Sequence, residues 1–441
     1  MDEFLVSDTL IIVAVGVTLF VLFALPFYVR QRRLERNASQ AQTEALRYGL
    51  HEPASLHPVV DPGACIGTGN CVSVCPEGDV LGLRSGQATP ISPARCIGHG
   101  LCERACPTQA IQLVFGTAKR GVEIPRIKHN FETNVPGIYI VGELGGMGLV
   151  RNAFEQGRQC IAGISREPHG PADALDVVIV GCGPAGLSAS VNCIHHKLNF
   201  VTLEKEDVGG TVRSYPRKKL VMTSPVTVPG YGKLAFREIT KEKLMAVWED
   251  IVAKTGLEVN TEETVSSVTR TDDGCLLVTS SSGIYKTKRV VLAIGRRGVP
   301  HTLNLPGERL PKVIYSLREP EAFQRDRIVV VGGGDSAIEA ALALAIQPGN
   351  EVKIAYRKDR FSRIKPGNME RIEDAIARRQ VEVLWSTNLL EIKPESVLLK
   401  GNAGTVETMP NDLVAVFAGG ELPTKFLRAC GIQIDTKFGE V

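Results

Sequence analysis

The longest apolar run of the chain lies at its N-terminus. No charged residue occurs between Thr9 and Val29, and about 20 apolar residues suffice to cross a bilayer as a helix. Four arginines follow the run directly: Arg30, Arg32, Arg33 and Arg36. Because positive charge stays on the cytoplasmic side of a membrane, the pattern predicts a single transmembrane helix over 9–29, with the main domains facing the cytoplasm.

A cleaved secretory signal is the competing interpretation of that run. Such a signal has a basic start, a shorter apolar core and a small-residue cleavage site. This chain instead begins with acidic residues and carries its arginines on the other side of the run, so we expect the segment to be retained. Residues 30–60 are polar and contain Pro53 and Pro58, and they are predicted to form a partly helical linker.

A second pattern is an apolar strand that runs directly into a glycine-rich turn and a helix. The strand LDVVIV precedes Gly181, Gly183 and Gly186 in the spacing G-x-G-x-x-G. The glycines let the backbone approach a pyrophosphate, and the N-terminus of the following helix stabilises its charge. The next apolar strand ends at Glu204, an acid at the distance expected for binding a ribose hydroxyl. Residues 172–297 are therefore predicted to form a dinucleotide-binding domain.

The same pattern occurs a second time, after the strand RIVVV. Here the turn is GGG at 332–334, a helical run follows, and the next strand ends at Arg357 and Lys358. No acid stands at the ribose position, and basic residues there suit a 2′-phosphate. They favour NADPH over NADH, unless they are simply a solvated basic surface. Residues 298–418 are predicted to form this second domain, and residues 419–441 to return to the first.

Six of the eleven cysteines stand in two similar segments within residues 61–115. The segments are CIGTGNCVSVCPEGDV and CIGHGLCERACPTQAI, and both follow the spacing C-x2-C-x2-C-x3-C-P except at the second ligand position. That position holds Thr68 in one segment and His99 in the other. The spacing is the signature of bacterial two-cluster ferredoxins, in which the fourth cysteine binds the other cluster. The segments resemble that family, which implies a small α+β iron–sulfur domain.

The ferredoxin resemblance implies two sets of iron ligands. The first set is Cys65, Cys71 and Cys106. The second set is Cys75, Cys96 and Cys102, with His99 at the fourth corner. Because threonine is a poor iron ligand, the first site could hold a 3Fe-4S cluster or a 4Fe-4S cluster with an open corner. The alternatives are a single cluster, a zinc site of Cys and His ligands, a relic that only folds, and a His99 that merely hydrogen-bonds a cluster sulfur.

Motifs in the rest of the chain carry a wider resemblance. They are GCGPAG at 181–186, VGGT at 208–211, VGGGDSAIEAA at 331–341 and YRKDRFSRIKP at 356–366. Residues 119–441 resemble the thioredoxin-reductase-like flavoproteins, a group with ferredoxin–NADP reductases and bacillithiol-disulfide-reductase-like proteins. The resemblance implies that FAD is bound by Gly181, Gly183, Gly186, Glu204, Gly210 and Thr211. It implies that the nicotinamide cofactor is bound by Gly332, Gly334, Asp335, Ser336, Arg357 and Lys358.

One segment stands in an unexpected place. Residues 132–164 resemble the part that closes the flavin site at the C-terminus of these flavoproteins, where Gly142 and Glu143 would approach the flavin. In this chain the segment precedes the first glycine fingerprint, which indicates a circular permutation fused to the ferredoxin-like domain. We assign residues 116–165 to this permuted segment. The alternative is that they belong to the ferredoxin-like domain.

Several function classes are disfavoured by the sequence. The flavoprotein region lacks a C-x-x-C pair, which disfavours thioredoxin-reductase-type dithiol exchange. A net charge of +3 gives no reason to expect nucleic acid as a partner. No pattern of residues typical of a hydrolase supports hydrolysis, and no catalytic acid or base can be named.

The sequence thus predicts an α/β fold with two Rossmann-like domains, for FAD and NAD(P), plus the ferredoxin-like domain and one transmembrane helix. The expected function is NAD(P)H-dependent electron transfer through FAD and iron–sulfur clusters to or from a redox protein or a membrane electron carrier. Two alternatives stay open: an NADPH-dependent reductase of low-molecular-weight disulfides that uses one exposed cysteine, and a redox-sensing or docking subunit. A homodimer is compatible with each of these three functions.

Overall fold

The computed structural model describes residues 12–47, 51, 53, 56–96, 98–118, 121–146, 148–169, 171–215, 217, 219–222, 225–236, 238–296, 299–300, 302–361, 364, 366–421 and 423–439. Residues 9–11 of the predicted transmembrane helix lie outside them. The chain divides into two compact units. The first comprises the described residues up to Thr117 together with Gly439, and the second comprises Ala118–Phe438.

The first unit begins with a helix that runs from Ile12 to Leu46 and is, by length and composition, able to cross a membrane. A signal sequence would meet the same criterion. A π-helical turn at Phe20–Ala24 precedes the α-helix Leu25–Arg47, named α1. Pro26 lies just after the π turn, and proline removes a helical hydrogen bond and clashes with the preceding turn. The wider turn accommodates that proline without ending the helix.

The remainder of the first unit is a small α+β arrangement. Its elements are β1 (Leu56–Val60), α2 (Asn70–Ser73), β2 (Leu81–Arg84), β3 (Gln87–Pro90), α3 (Leu101–Arg104) and β4 (Ile111–Phe115). β1 pairs antiparallel with β4, and β2 with β3. Residues 30–47 and 56–60, which the sequence suggested as parts of a linker, are therefore a helix and a paired strand of this unit.

The second unit contains the remaining elements. Up to the end of the first large sheet they are β5 (Val122–Pro125), β6 (Ile138–Ile140), α4 (Val150–Ile164), β7 (Leu175–Val180), α5 (Pro184–His195), β8 (Phe200–Leu203), β9 (Leu220–Met222), β10 (Val226–Val228), β11 (Gly232–Leu234), β12 (Glu238–Thr240), α6 (Lys241–Thr255), β13 (Val265–Arg270), β14 (Leu276–Ser280) and β15 (Ile284–Leu292). After it come β16 (Val299–Pro300), β17 (Val313–Ile314), β18 (Arg327–Val331), α7 (Asp335–Ala345), β19 (Glu351–Tyr356), α8 (Pro366–Ala377), β20 (Val381–Trp385), β21 (Asn388–Lys393), β22 (Ser396–Lys400), β23 (Val406–Pro410), β24 (Leu413–Val416), β25 (Gly420–Glu421), α9 (Thr424–Ala429) and β26 (Ile434–Lys437).

Two sheets organise the second unit. The first has the order β13-β14-β15-β7-β8, with β6 parallel to the end of β15. The second has the order β17-β24-β18-β19-β20 and is parallel throughout. In each sheet the glycine-rich turn follows a central, buried strand, β7 or β18. The turns therefore lie at the carboxyl edges of parallel strands, where dinucleotides bind in such folds.

The segment predicted to be permuted belongs to the first of these sheets. β6 pairs with β15 through Ile138 and Val290. α4 packs on α5 so closely that a Cβ on Gly157 would lie 2.3 Å from the Ala185 carbonyl oxygen. The Ser188 hydroxyl donates to the Phe154 carbonyl oxygen at 2.6 Å across the same contact. β6 and α4, which lie within this segment, are thus part of the second unit, whereas Gly116 and Thr117 fall in the first.

Candidate iron–sulfur and dinucleotide sites

The structure brings the six cysteines of the ferredoxin-like unit together in two pockets. The first pocket is lined by Cys65, Cys71 and Cys106, and Thr68 lies in its wall. Each half of the sequence repeat contributes to it, because Cys106 comes from the second half. The ferredoxin resemblance implies this arrangement, in which the last cysteine of one half belongs to the ligand set of the other half.

The second pocket is lined by Cys75, Cys96 and Cys102, with His99 in its wall. The residue at each second ligand position therefore faces the same pocket as the cysteines of its own set. The carbonyl oxygen of His99 accepts a hydrogen bond from Arg104 at 3.1 Å, which holds the backbone of this loop. The walls of this pocket contain three cysteines and a histidine, whereas those of the first contain three cysteines and a threonine.

The surroundings of the thiols in these pockets shift their pKa values in different directions. Burial raises the pKa of Cys71 and of Cys96 to about 11 in each case, and burial likewise raises the pKa of Cys75 and Cys102. For Cys106, burial raises the pKa, but hydrogen bonds from Thr108, Ala110 and Ile111 outweigh it and bring the pKa below its ordinary value.

A metal binds the thiolate rather than the thiol, so metal binding must offset the cost of a buried negative charge. Iron ions would offset this charge with their positive charge. The backbone N–H groups of Ala88 and Ala110 lie 3.4 Å and 3.2 Å from the sulfurs of Cys65 and Cys106. Such N–H groups stabilise cluster sulfur ligands. The donor sets therefore fit iron–sulfur clusters.

The spacing of the donors also bears on the zinc alternative. Zinc requires its ligand atoms within about 2.3 Å of one ion. Among the residues that the structure describes, no three His, Cys, Asp or Glu side chains converge closely enough to hold a single ion. A cluster is bound through separate iron atoms and accepts ligands that stand further apart than the ligands of one zinc ion.

The first glycine-rich loop is closely packed on one side and open on the other. Gly181 has a φ of +96°, and a Cβ there would lie 2.7 Å from the Ala293 carbonyl oxygen. A Cβ on Gly186 would lie 1.8 Å from the carbonyl oxygen of Gly181. At Gly183, in contrast, a Cβ would meet nothing within 4 Å. The open position is where the loop can receive a pyrophosphate.

Glu204 is held against this loop as a buried carboxylate, only 5% exposed. It accepts hydrogen bonds from the backbone N–H groups of Cys182 at 2.6 Å and Glu206 at 3.0 Å. Gly210 also lies against the loop, since its Cβ would be 3.2 Å from the Cα of Gly183. Thr211 follows it in the same short helical turn. The predicted flavin-binding residues of this domain therefore surround one loop.

The predicted residues of the permuted segment meet the same loop from another side. Gly142 has its N–H bonded to the Gln156 side chain at 2.7 Å, and a Cβ on it would lie 2.9 Å from the Cβ of Ala185. Glu143 follows at the start of a short helical turn. Burial lowers the pKa of Arg296, and the nearby charge of Glu143 partly offsets this effect.

The second glycine-rich loop has a similar backbone. Gly332 has a φ of +139° and would place a Cβ 2.5 Å from the Phe417 carbonyl oxygen, while a Cβ on Gly333 would run into the Tyr356 ring. Gly334 is open, with nothing within 4 Å of its ideal Cβ. Asp335 and Ser336 begin α7 directly after it. The N-terminus of α7 therefore faces an accessible space suited to a phosphate.

Arg357 and Lys358 follow β19 and are exposed. The backbone of Lys358 is fixed, because its carbonyl oxygen accepts from the Ser386 N–H at 2.9 Å. The two side chains lie at the carboxyl edge of the second sheet, the edge on which the glycine loop stands. In a doubly wound fold, the 2′-phosphate on the ribose of NADPH would bind at this edge.

A polar network that the sequence analysis missed supports the start of α7. The Asn368 side-chain amide donates to Asp335 at 2.8 Å and to Glu339 at 3.2 Å. Glu339 also accepts a hydrogen bond from Lys219 at 3.1 Å, which joins the residue just before β9 to α7. Asp335 and Glu339 are one helical turn apart, and that spacing was the one signal in the sequence that could have suggested a shared partner.

The cysteines outside the ferredoxin-like unit are all buried: Cys160, Cys182, Cys193, Cys275 and Cys430. Burial raises the pKa of four of them, Cys160, Cys182, Cys193 and Cys430. A thiol must be exposed and deprotonated to attack a disulfide. The structure therefore provides no exposed thiol in the described part of the second unit.

Two protein-family models match the chain. The model of the pyridine nucleotide-disulphide oxidoreductase family matches residues 178–440, more than half of the chain. The chain belongs to this family. A 4Fe-4S dicluster domain model matches residues 57–107. The protein is therefore an iron–sulfur-containing pyridine nucleotide oxidoreductase, and the predicted enzyme class, an NAD(P)H-dependent flavin oxidoreductase, is confirmed.

Individual members of the oxidoreductase family are similar over most of their length. A ferredoxin–NADP reductase of Ignicoccus hospitalis is 30% identical over 269 residues, 59% of this chain and 83% of the relative. The bacilliredoxin reductase Bdr of Bacillus subtilis is 27% identical over 267 residues, 59% of this chain and 82% of the relative. The structure of the bacillithiol disulfide reductase Bdr of Staphylococcus aureus matches with a TM-score of 0.53 and 25% identity, covering 60% of this chain and 82% of that one. The predicted α/β fold with Rossmann-like domains is confirmed.

Proposed function

We propose that the protein is a membrane-anchored iron–sulfur flavoprotein that transfers electrons between NADPH, FAD, two clusters and a redox partner. The observation that carries the proposal is the convergence of seven candidate ligands into two pockets on a chain that also has two dinucleotide loops. When bound, FAD accepts a hydride and releases electrons one at a time, which couples a nicotinamide to one-electron carriers.

The residues of the chain provide binding and orientation for this chemistry. Glu204 fixes the first loop through two backbone N–H groups, and the Asn368 network fixes the start of α7. Arg357 and Lys358 would bind the 2′-phosphate, which makes NADPH the preferred nucleotide. The first pocket would hold a 3Fe-4S cluster or a 4Fe-4S cluster with an open corner at Thr68. The second would hold a 4Fe-4S cluster completed by His99.

The circular permutation is part of the same proposal. The last strand, β26, pairs antiparallel with β5, which leads into the displaced segment. Asn134 in that segment donates to the Gly431 carbonyl oxygen at 2.9 Å and accepts from the Gln433 N–H at 2.8 Å. The end of the chain thus lies beside the start of the segment, as it must if the two were once continuous. A variant with residues 122–164 moved behind Lys437 should fold and retain flavin.

The disulfide reductase alternative is less well supported by the geometry. The bacillithiol disulfide reductase of Staphylococcus aureus is similar in structure, but this chain buries every cysteine outside the ferredoxin-like unit. A sensor or docking subunit would need the same cofactors and differs only in turnover. The partner is either a redox protein or a membrane electron carrier.

Anaerobic rapid mixing with NADPH tests the proposal, with iron and sulfide analysis and EPR on the same samples. We expect the flavin to be reduced first and EPR-active clusters second, with NADPH faster than NADH. Flavin reduction without any cluster reduction would exclude electron transfer through the clusters. A protein with flavin but without iron would favour the disulfide reductase, and reduction without turnover on any acceptor would favour a sensor.

A further inference from the structure

The N-terminal helix, which runs from Ile12 through α1 to Leu46, has three surfaces: an exposed apolar segment, a packed face and an exposed basic face. From Ile12 to Phe23 every residue is exposed and none is charged. From residue 31 onward one face turns inward, and its partly or fully buried positions recur every three or four residues. These positions are Gln31, Glu35, Ala38, Ala41, Gln42 and Ala45. The helix therefore has an exposed apolar part before its arginine cluster, and after the cluster it packs on the rest of the first unit.

The packed face contacts β2 of the ferredoxin-like unit. A Cβ on Gly82 would lie 2.8 Å from the Cβ of Ala38, so the helix and the strand approach as closely as small residues allow. Gln42 and Arg84 are hydrogen-bonded across the same contact. Ala45 is 1% exposed. The contact between α1 and β2 thus spans the helical turn from Ala38 to Gln42 and includes both apolar and polar partners.

β2 separates α1 from both cysteine pockets. Side chains alternate between the faces of a strand. Gly82 faces the helix, while its neighbour Leu81 lines the second pocket. Leu83 contacts Gly69, which lies in the wall of the first pocket. One strand therefore carries the helix on one face and covers both candidate clusters with the other.

The arginines lie on the opposite side of the helix. At 100° per residue, Arg32, Arg33 and Arg36 point away from the face that contains Ala38, and all three are exposed. Basic residues near an anionic membrane surface are attracted to its negative potential. The contact at Ala38 comes nine residues after Val29, the end of the apolar run. At 1.5 Å per residue this is about 14 Å along the helix.

We propose that α1 is a rigid strut that holds both cysteine pockets at a fixed height above an anionic bilayer surface, so that their electron partner must be one that reaches the membrane surface. This inference rests on the membrane anchor and the clusters of the proposed function. It goes beyond them because an anchor followed by a flexible linker would leave the clusters free to approach partners in the bulk solution.

Insertion of seven helix-forming residues between Arg30 and Gln31 tests the strut. Seven residues lengthen the helix by about 10 Å and nearly preserve its rotational phase. The matched control places the same seven residues after Arg47, beyond the packed face. Full-length proteins are reconstituted into vesicles of anionic phospholipid that carry a paramagnetic headgroup chelate, and the relaxation of the cluster EPR signals is measured.

The wild-type protein and the control should show equal relaxation enhancement, and the variant lengthened before Gln31 should lose most of it. Equal enhancement in all three, with all three bound to vesicles, would overturn the strut and leave the anchor intact. A wild-type protein that does not sediment with vesicles would contradict the anchor itself, and the strut with it.

A second measurement tests the contact without requiring vesicles or clusters. Ala38→Gln places a long side chain against Gly82, whereas Ser39→Gln changes a neighbouring exposed position. We expect Ala38→Gln to raise amide hydrogen exchange in β2 at least tenfold, and Ser39→Gln to leave it unchanged. Equal exchange in the two variants would show that α1 does not pack on β2 and would overturn the inference.

Discussion

The two glycine-rich loops of the second unit share a backbone but differ in what surrounds them. The first loop has a buried acid, Glu204, bonded to its own backbone, and is enclosed by residues from the permuted segment such as Gly142. The second loop opens onto exposed basic residues, Arg357 and Lys358. Both loops are open at their second glycine, Gly183 or Gly334. The first is enclosed only in the sense that a second segment packs beside it, which suits a cofactor that remains bound, whereas the exposed surroundings of the second suit one that exchanges in each turnover. The difference indicates which cofactor is resident and which is a substrate.

The largest effect is expected from adding one methyl group to each loop. In Gly186→Ala the new Cβ would lie 1.8 Å from the Gly181 carbonyl oxygen, whereas in Gly334→Ala, as at the matching Gly183 of the first loop, it would meet nothing within 4 Å. Overpacking of this kind costs about 3 kcal/mol, so Gly186→Ala should lose its flavin. Gly334→Ala should keep its flavin and raise KM for the nicotinamide. The flavin-to-protein absorbance ratio and steady-state kinetics decide the matter, and loss of flavin in both variants would contradict the distinction.

The acid of the first loop should matter next. Glu204→Gln replaces one acceptor oxygen by a donor and leaves a backbone N–H of Cys182 or Glu206 without its partner, which costs about 1–3 kcal/mol. We expect lower thermal stability and faster flavin release. The release is measured by the increase in flavin fluorescence. Asp335→Asn on the second loop is the control, and its flavin release should match the wild type. Equal flavin release in the two variants would mean that Glu204 does not hold the resident cofactor.

The basic side of the second loop should set nucleotide preference. Hydrogen bonds to charged groups contribute about 1.5–3 kcal/mol, so Arg357→Ala should raise KM for NADPH about tenfold or more while KM for NADH stays within twofold. Arg360→Ala changes an exposed arginine three residues away and serves as the control. A parallel increase in both KM values would show that Arg357 supports the loop rather than the 2′-phosphate.

Local patterns predicted these loops and the two cysteine sets because each depends on residues that are close in sequence. The glycines of 181–186 and the acid 18 residues later belong to one strand–helix–strand unit, and the repeat places each cysteine set by internal symmetry. The pairing of Asn368 with Asp335, and of Lys219 with Glu339, joins residues far apart in sequence. Such pairs depend on the assembled topology, so no periodicity reveals them.

The helix α1 shows the same limit on a smaller scale. Its packed face is made of alanine, glutamine and glutamate, residues that do not form an apolar stripe. A polar segment after an apolar run therefore suggested a linker. The close contact between Ala38 and Gly82 depends on small size rather than hydrophobicity, and small size at one position carries no signal until both partners are known.

The smallest effect should come from the ion pair between Lys219, just before β9, and Glu339 of α7. Lys219→Met removes a partly buried pair with Glu339 at 3.1 Å, and Arg217→Met removes an exposed pair with Glu319 at 2.9 Å. Partly exposed pairs contribute about 0.2–1 kcal/mol. A double-mutant cycle of Lys219→Met with Glu339→Gln should therefore give a small coupling energy that falls with salt, and the cycle at Arg217 should give almost none. Flavin content should be unchanged throughout, because the pair supports the open loop; a loss of flavin in Lys219→Met would place its role at the enclosed loop instead.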